Sequence, residues 1–190
     1  MSGLDPRAPL VLDTRDLGRR AGSLLRLNLK VPAPADLGTA VIGVPTGSEI
    51  ELDLRLESVM EGVLVSGTAR VSIEGNCSRC LDPVGYEFEA DLQELFCYPD
   101  ANPDPEADED LRWIEGDLLD LELTLRDAVV LDLPLAPVCR EDCPGLCPEC
   151  GINLAADLDH HHEVSDPRWA ALVDLLEPGR DLGPDRSKED

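Results

Sequence analysis

Seven cysteines and three histidines carry most of the chemistry open to this 190-residue sequence. Six of the cysteines fall in close pairs: Cys77 and Cys80 in CSRC, Cys139 and Cys143 in CREDC, Cys147 and Cys150 in CPEC. Two thiolates separated by two residues can grip one zinc ion from a tight turn, and glycine or proline beside them lets backbone amides turn toward the sulfurs. CPECG is a strong knuckle of this kind. CSRC has the spacing without the glycine, and C-x3-C is the weakest of the three half-sites. A four-coordinate structural site takes two half-sites, so two sites need eight ligands and the paired cysteines supply six. The stretch DHHHE offers the remainder: His160 and His162, spaced i and i+2, point the same way from an extended backbone.

The spacing therefore predicts one or two zinc ions, Cys77, Cys80, Cys139 and Cys143 for one, Cys147, Cys150, His160 and His162 for the other. Pro144, Gly145 and Leu146 then form the turn between them. A competing pairing joins the two C-x2-C knuckles and leaves the rest without metal, and three adjacent histidines also suit a plain polar loop. Cys97, alone in a strand-like run, reads as a buried inert thiol. An odd, clustered set of cysteines fits a disulfide framework poorly in a cytoplasmic protein. A redox use of CPEC would want the motif to open a helix after a strand, whereas Gly151 follows it and two further cysteines crowd it.

The elements that must hold these residues show in the hydropathy pattern. EIELDLRLE alternates Ile50, Leu52, Leu54 and Leu56 with charge; VLVSGTARVSIEG turns Val63, Val65, Ala69, Val71 and Ile73 inward; VGYEFEADLQELF does the same with Tyr86, Phe88, Ala90 and Leu92. With SLLRLNLKV and TAVIGV, punctuated by Pro32, Pro34, Pro45 and Gly47, they predict an α+β chain whose N-terminal half is an antiparallel sheet or open barrel. A mainly β domain over 1–134 carries an acidic loop at 99–110 and a helix near 120–132. That helix takes Asp120 as N-cap and Leu121, Leu125, Ala128 and Val129 as its apolar stripe, although Leu119, Leu121, Leu123 and Leu125 also alternate as a strand would. A zinc-binding Cys/His segment and a C-terminal helix, capped by Asp166 and striped by Trp169, Leu172, Val173 and Leu176, occupy 135–178, before a frayed tail at 179–190.

Composition narrows the function. The hydrophobic fraction is 43% but the aromatic fraction only 3%, so aliphatic side chains pack the core and base-stacking rings are scarce. Forty acids against 16 bases give a formal charge of −24, which repels phosphate backbones and anionic lipid and favours basic partners. No apolar run suits a bilayer, MSGLDPRAPL lacks the form of a secretory signal, and a cytoplasmic location follows as the expectation.

Several motifs in order, CSRCLDP from Cys77, LPLAPVC ending at Cys139, CPGLCPECGINL from Cys143 to Leu154 and DPRWAAL from Asp166 to Leu172, resemble the YceD family. The resemblance implies a role in accumulation of large-subunit ribosomal RNA and carries over no catalytic residue. In many relatives a Cys-x-Cys pair follows CGxNL, and His160 and His162 lie near that place. The expectation is a non-enzymatic, zinc-stabilised factor for ribosome biogenesis that contacts a basic ribosomal protein or a pre-ribosomal particle. One rival is a metal-dependent RNA-processing hydrolase, in which the histidines with Asp157, Asp159 or Glu163 leave a metal open to water; another is a thiol redox module.

Overall fold

The computed structural model describes residues 3–101 and 111–162. Its elements, in chain order, are β1 (Val11–Asp13), β2 (Leu24–Pro32), β3 (Ile42–Gly43), β4 (Glu49–Ser58), β5 (Gly62–Asn76), β6 (Pro83–Cys97), β7 (Arg112–Trp113), β8 (Leu118–Asp120) and α1 (Glu122–Asp132). The chain divides into two compact units, residues 1–145 and 146–190.

In the first unit β2, β4, β5 and β6 form an antiparallel meander, β3 adds to β5, and β7 pairs with the end of β6. The β7 pairing is parallel, so the sheet is mixed rather than purely antiparallel, and among the described residues its strand order runs open from β2 to β7. A separate two-stranded sheet joins β1 to β8. Period-2 alternation decides which face is buried. Ile50, Leu52, Leu54 and Leu56 of β4 and Val63, Val65, Ala69, Val71 and Ile73 of β5 all lie inward, with Ala90, Leu92 and Phe96 of β6 beside them. Tyr86 departs from the expected inward row and stands exposed near the hairpin end of β6. Opposite the core, Lys30, Glu51, Arg70 and Glu89 link in a row of exposed ion pairs, which adds little stability. Gly67 marks a tight crossing: a Cβ there would stand 2.0 Å from the Asp53 carbonyl oxygen, so glycine lets β5 and β4 approach closely.

Helix and strand both claim the stretch after Gly116. Leu118–Asp120 pairs with β1, and the helix begins only at Glu122, with Leu121 rather than Asp120 at its N-cap. Asp120 still contributes, its Oδ1 accepting the Glu122 N–H at 2.9 Å. Leu121, Leu125 and Val129, one turn apart, are fully buried, and Leu133 continues the stripe past the helix end. One helix lies among the described residues, where the one near 120–132 was expected. None is long and apolar enough to cross a membrane. Most of the expected acidic loop (102–110), the helix expected after Asp166 and the tail lie outside the described residues.

Candidate metal centres

The first cluster is built at one end of the β5–β6 hairpin. Two 15-residue strands run in register as far as Asn76 opposite Pro83, and the turn between them is CSRCLD. Within that turn the Leu81 N–H donates to the Cys77 carbonyl at 2.9 Å and the Cys77 N–H donates to the Asp82 carbonyl at 2.8 Å. After α1 the chain returns to the same end, where the Ser78 N–H donates to the Pro137 carbonyl at 2.7 Å. Arg79 then binds the second arm, donating from Nη1 to the carbonyls of Glu141 and Cys143 at 3.1 and 3.0 Å. As a result Cys77, Cys80, Cys139 and Cys143 converge, their sulfurs all within 4.8 Å of one another. Cys77 and Cys143 stand 3.8 Å apart, Cys80 and Cys139 3.6 Å, far beyond the ~2.05 Å of a disulfide. Three of the four are buried, and Cys139 faces solvent.

The second cluster lies wholly in the second unit. Its knuckle repeats the turn of the first: the Gly151 N–H donates to the Cys147 carbonyl at 2.9 Å, and the Cys147 N–H donates to the Ile152 carbonyl at 2.8 Å. Cys147, Cys150, His160 and His162 come together here, again within 4.8 Å. The Nε2 atoms of His160 and His162 each stand 3.2 Å from the Cys150 sulfur and 2.9 Å from each other. Their Nδ1 atoms turn outward to carboxylates, His162 to Glu149 at 3.4 Å and His160 to Asp157 at 3.9 Å. A carboxylate close behind an imidazole, as Glu149 is behind His162, is the arrangement that fixes the tautomer of a metal-ligating histidine and leaves Nε2 free to coordinate; Asp157 is too far from His160 to do more than act through its charge. His161 takes no part; it is exposed, its Nδ1 lying 2.9 Å from the Asp159 carbonyl.

Electrostatics repeats across the two turns. In each knuckle the first cysteine sits under backbone amides, and its thiol is held down at about 6: Cys77 chiefly by the Cys80 N–H, Cys147 by those of Cys150 and Glu149. A sulfur so placed is ready to bind a cation as thiolate. Cys97 is the opposite case, buried at the end of β6 with its thiol pushed up by that burial.

Among the described residues, the eight singled out by spacing thus gather as two sets of four. Spacing alone does not reveal Glu149 and Asp157 as backing for the histidines, or Arg79 as the clamp on Glu141 and Cys143. Glu149 lies inside the CPEC loop, where a carboxylate is easily taken for a surface residue. Asp157 sits three residues before His160, a spacing that suits a shared turn and is the one local signal of its place.

Fold and clusters together define a β-sheet protein with two Cys/His sets, each of which could hold a metal ion. Comparison with known sequences then fixes the family. The family model described as large ribosomal RNA subunit accumulation protein YceD matches residues 65–176, and the chain belongs to the YceD family. Similar proteins include an uncharacterised protein of Mycobacterium tuberculosis, 47% identical over 92% of this chain and 84% of its own length. YlbN of Bacillus subtilis is 33% identical over 53% of this chain and 58% of its own length. A chloroplastic protein of Zea mays, named large ribosomal RNA subunit accumulation protein YCED homolog 1, is 30% identical over 53% of this chain and 41% of its own. No solved structure matches the chain.

Proposed function

We propose that the protein is a cytoplasmic, non-enzymatic factor that supports large-subunit ribosomal RNA accumulation, is held in shape by two zinc ions, and acts by contacting a basic protein of the assembling subunit. The observation that carries this reading is the completeness of both clusters: four soft or borderline donors already converge at each. A tetrahedron with Zn–S bonds of about 2.3 Å has edges of about 3.8 Å, close to the 3.6 and 3.8 Å sulfur separations at the first cluster. The second is somewhat tighter than the ~3.3 Å edge of a zinc-bound imidazole pair. Four protein donors per ion fill a structural site, whereas hydrolytic zinc keeps one position for water. Asp157 lies on the outward nitrogen of His160, the side away from the cluster, which argues against its use as a ligand in a hydrolase.

Zinc does not turn the surface basic. One divalent ion replacing four thiol protons leaves a four-cysteine site about two units more negative, and a site of two cysteines and two histidines about unchanged. A chain already at −24 therefore suits a cationic protein better than bare RNA. The test is capture of large-subunit components on the immobilised zinc-loaded protein at moderate salt. Recovery of a basic ribosomal protein after nuclease treatment supports the reading; recovery of RNA with no such protein would sink it. Metal analysis of the same preparation should give two zinc ions per chain.

A further inference from the structure

The two knuckles share one backbone turn but differ at the residue that closes it. In the second cluster that residue is Gly151, at φ +73°, a left-handed conformation glycine adopts freely. Its counterpart in the first cluster is Leu81, at φ +64°, where a branched side chain is a rare outlier. Leu81 gains no burial in return: it is 63% exposed, although glycine would serve the turn and the metal at least as well. A strained backbone that presents an exposed apolar side chain points to something that side chain must touch. Leu135 lies two residues before the segment that the knuckle holds. It is 92% exposed and precedes Pro137, whose carbonyl accepts the Ser78 N–H of the same knuckle.

We propose that Leu81 and Leu135 are the apolar anchors of a docking surface at the first metal cluster, and that its occupant is a basic protein offering an apolar pocket with a cationic margin. Charge chooses the occupant. The segments 77–82 and 139–143 hold three acids, Asp82, Glu141 and Asp142, against two bases. Arg140 pairs with Asp142 at 3.2 Å and Arg79 lies on the carbonyls of Glu141 and Cys143, so the two segments keep a small acidic excess. Four thiolates around a divalent ion add further negative charge. An acidic surface with exposed leucines repels nucleic acid and other copies of this acidic chain, and attracts a cationic protein.

The inference rests on the proposed function, since it names where the basic partner sits, and one experiment separates their failures. The probe is the protein mixture stripped from large ribosomal subunits by high salt, offered to the zinc-loaded full chain and to Leu81→Gly and Leu135→Ser variants. Leu81→Gly should keep its zinc and melt no lower than the parent, because the turn prefers glycine, yet capture of basic proteins should fall at least tenfold. A photo-crosslinker at position 81 should label the captured protein, and one at Met60, 84% exposed on another turn, should not. Undiminished capture by both variants overturns this surface and leaves the proposed function standing. Crosslinks from position 81 only to RNA or to a second copy overturn it as well. Absence of any captured ribosomal protein with the parent chain refutes the proposed function, and this surface with it.

Discussion

Glu149→Gln should weaken metal binding at the second cluster alone. Glu149 Oε2 lies 3.4 Å from His162 Nδ1, within reach of an N–H donor, so the carboxylate orients the ring and raises the basicity of Nε2. Loss of such a partner typically costs roughly 10- to 100-fold in affinity. Here the two side chains are 32% and 46% exposed, solvent screens the pair, and the lower end applies: about tenfold, or about 1.4 kcal/mol. Asp157 stands farther from His160, at 3.9 Å, beyond hydrogen-bond distance. It acts through charge only, and unit charges about 4 Å apart in water are worth about 1 kcal/mol, so Asp157→Asn should cost at most about fivefold. Cobalt(II) substitution offers the assay, because the ligand-field bands of the mixed cysteine–histidine site and the thiolate charge-transfer of the four-cysteine site can be followed separately while a chelator competes. The order Glu149→Gln weaker than Asp157→Asn weaker than parent, with the four-cysteine signal unmoved, is the expected result. Equal affinity in Glu149→Gln and parent would show that the carboxylate does not support the ring.

Gly151→Leu, the mirror of Leu81, should lower metal affinity at the second cluster by about 5- to 30-fold, since a left-handed leucine costs roughly 1–2 kcal/mol; chelator competition reads it. In metal-free protein Cys147 should be alkylated ahead of the fully buried Cys77. With its thiol at about 6, the reactive thiolate is already abundant at pH 7 and is lost as pH falls below 6, while Cys97, pushed the other way by burial, should stay unlabelled; peptide mapping after brief iodoacetamide treatment from about pH 5 to 8 checks both. Gly67→Ala should destabilise the first unit by about 1–3 kcal/mol, measured by urea unfolding, because its Cβ would stand 2.0 Å from the Asp53 carbonyl oxygen.

The parts of this protein legible in its sequence are those with a short repeat or a fixed spacing. Alternation of Ile50, Leu52, Leu54 and Leu56 declares both strand and face, because a slip of one residue would expose all four. It fails at Tyr86, beyond the well-packed part of the inner face. The stretch Leu118–Leu125 satisfies two periods at once, and only tertiary context, pairing of Leu119 with Leu12 and burial of Leu125, divides it between strand and helix. Cysteine spacing reveals half-sites but not their partners. Which half-sites meet depends on the hairpin carrying Cys77 and Cys80 to the place where the chain leaving α1 brings Cys139 and Cys143. The parallel pairing of Phe96 with Arg112 leaves no local signature at all, since nothing in a two-residue strand records its neighbour.

That division between local and non-local pairing gives the two clusters different physical roles. The second closes over a short span, Cys150 and His162 being 12 residues apart, so a metal bound there would order little beyond its own turn. The first joins Cys77 to Cys143 across 66 residues, a span that includes β6, the short strands β7 and β8, and the helix. Closing the longer loop removes more unfolded-state freedom, by about 1.5 kcal/mol on the logarithmic dependence of loop entropy. A metal held at the first cluster would therefore be linked to global stability of the sheet unit, through both that entropy and the Arg79 clamp. A metal held at the second would be linked to the order of its own segment. Stripping zinc stepwise should accordingly leave the thermal transition of the sheet nearly unmoved while the ion of the mixed cysteine–histidine cluster departs, and lower it sharply when the ion of the four-cysteine cluster follows.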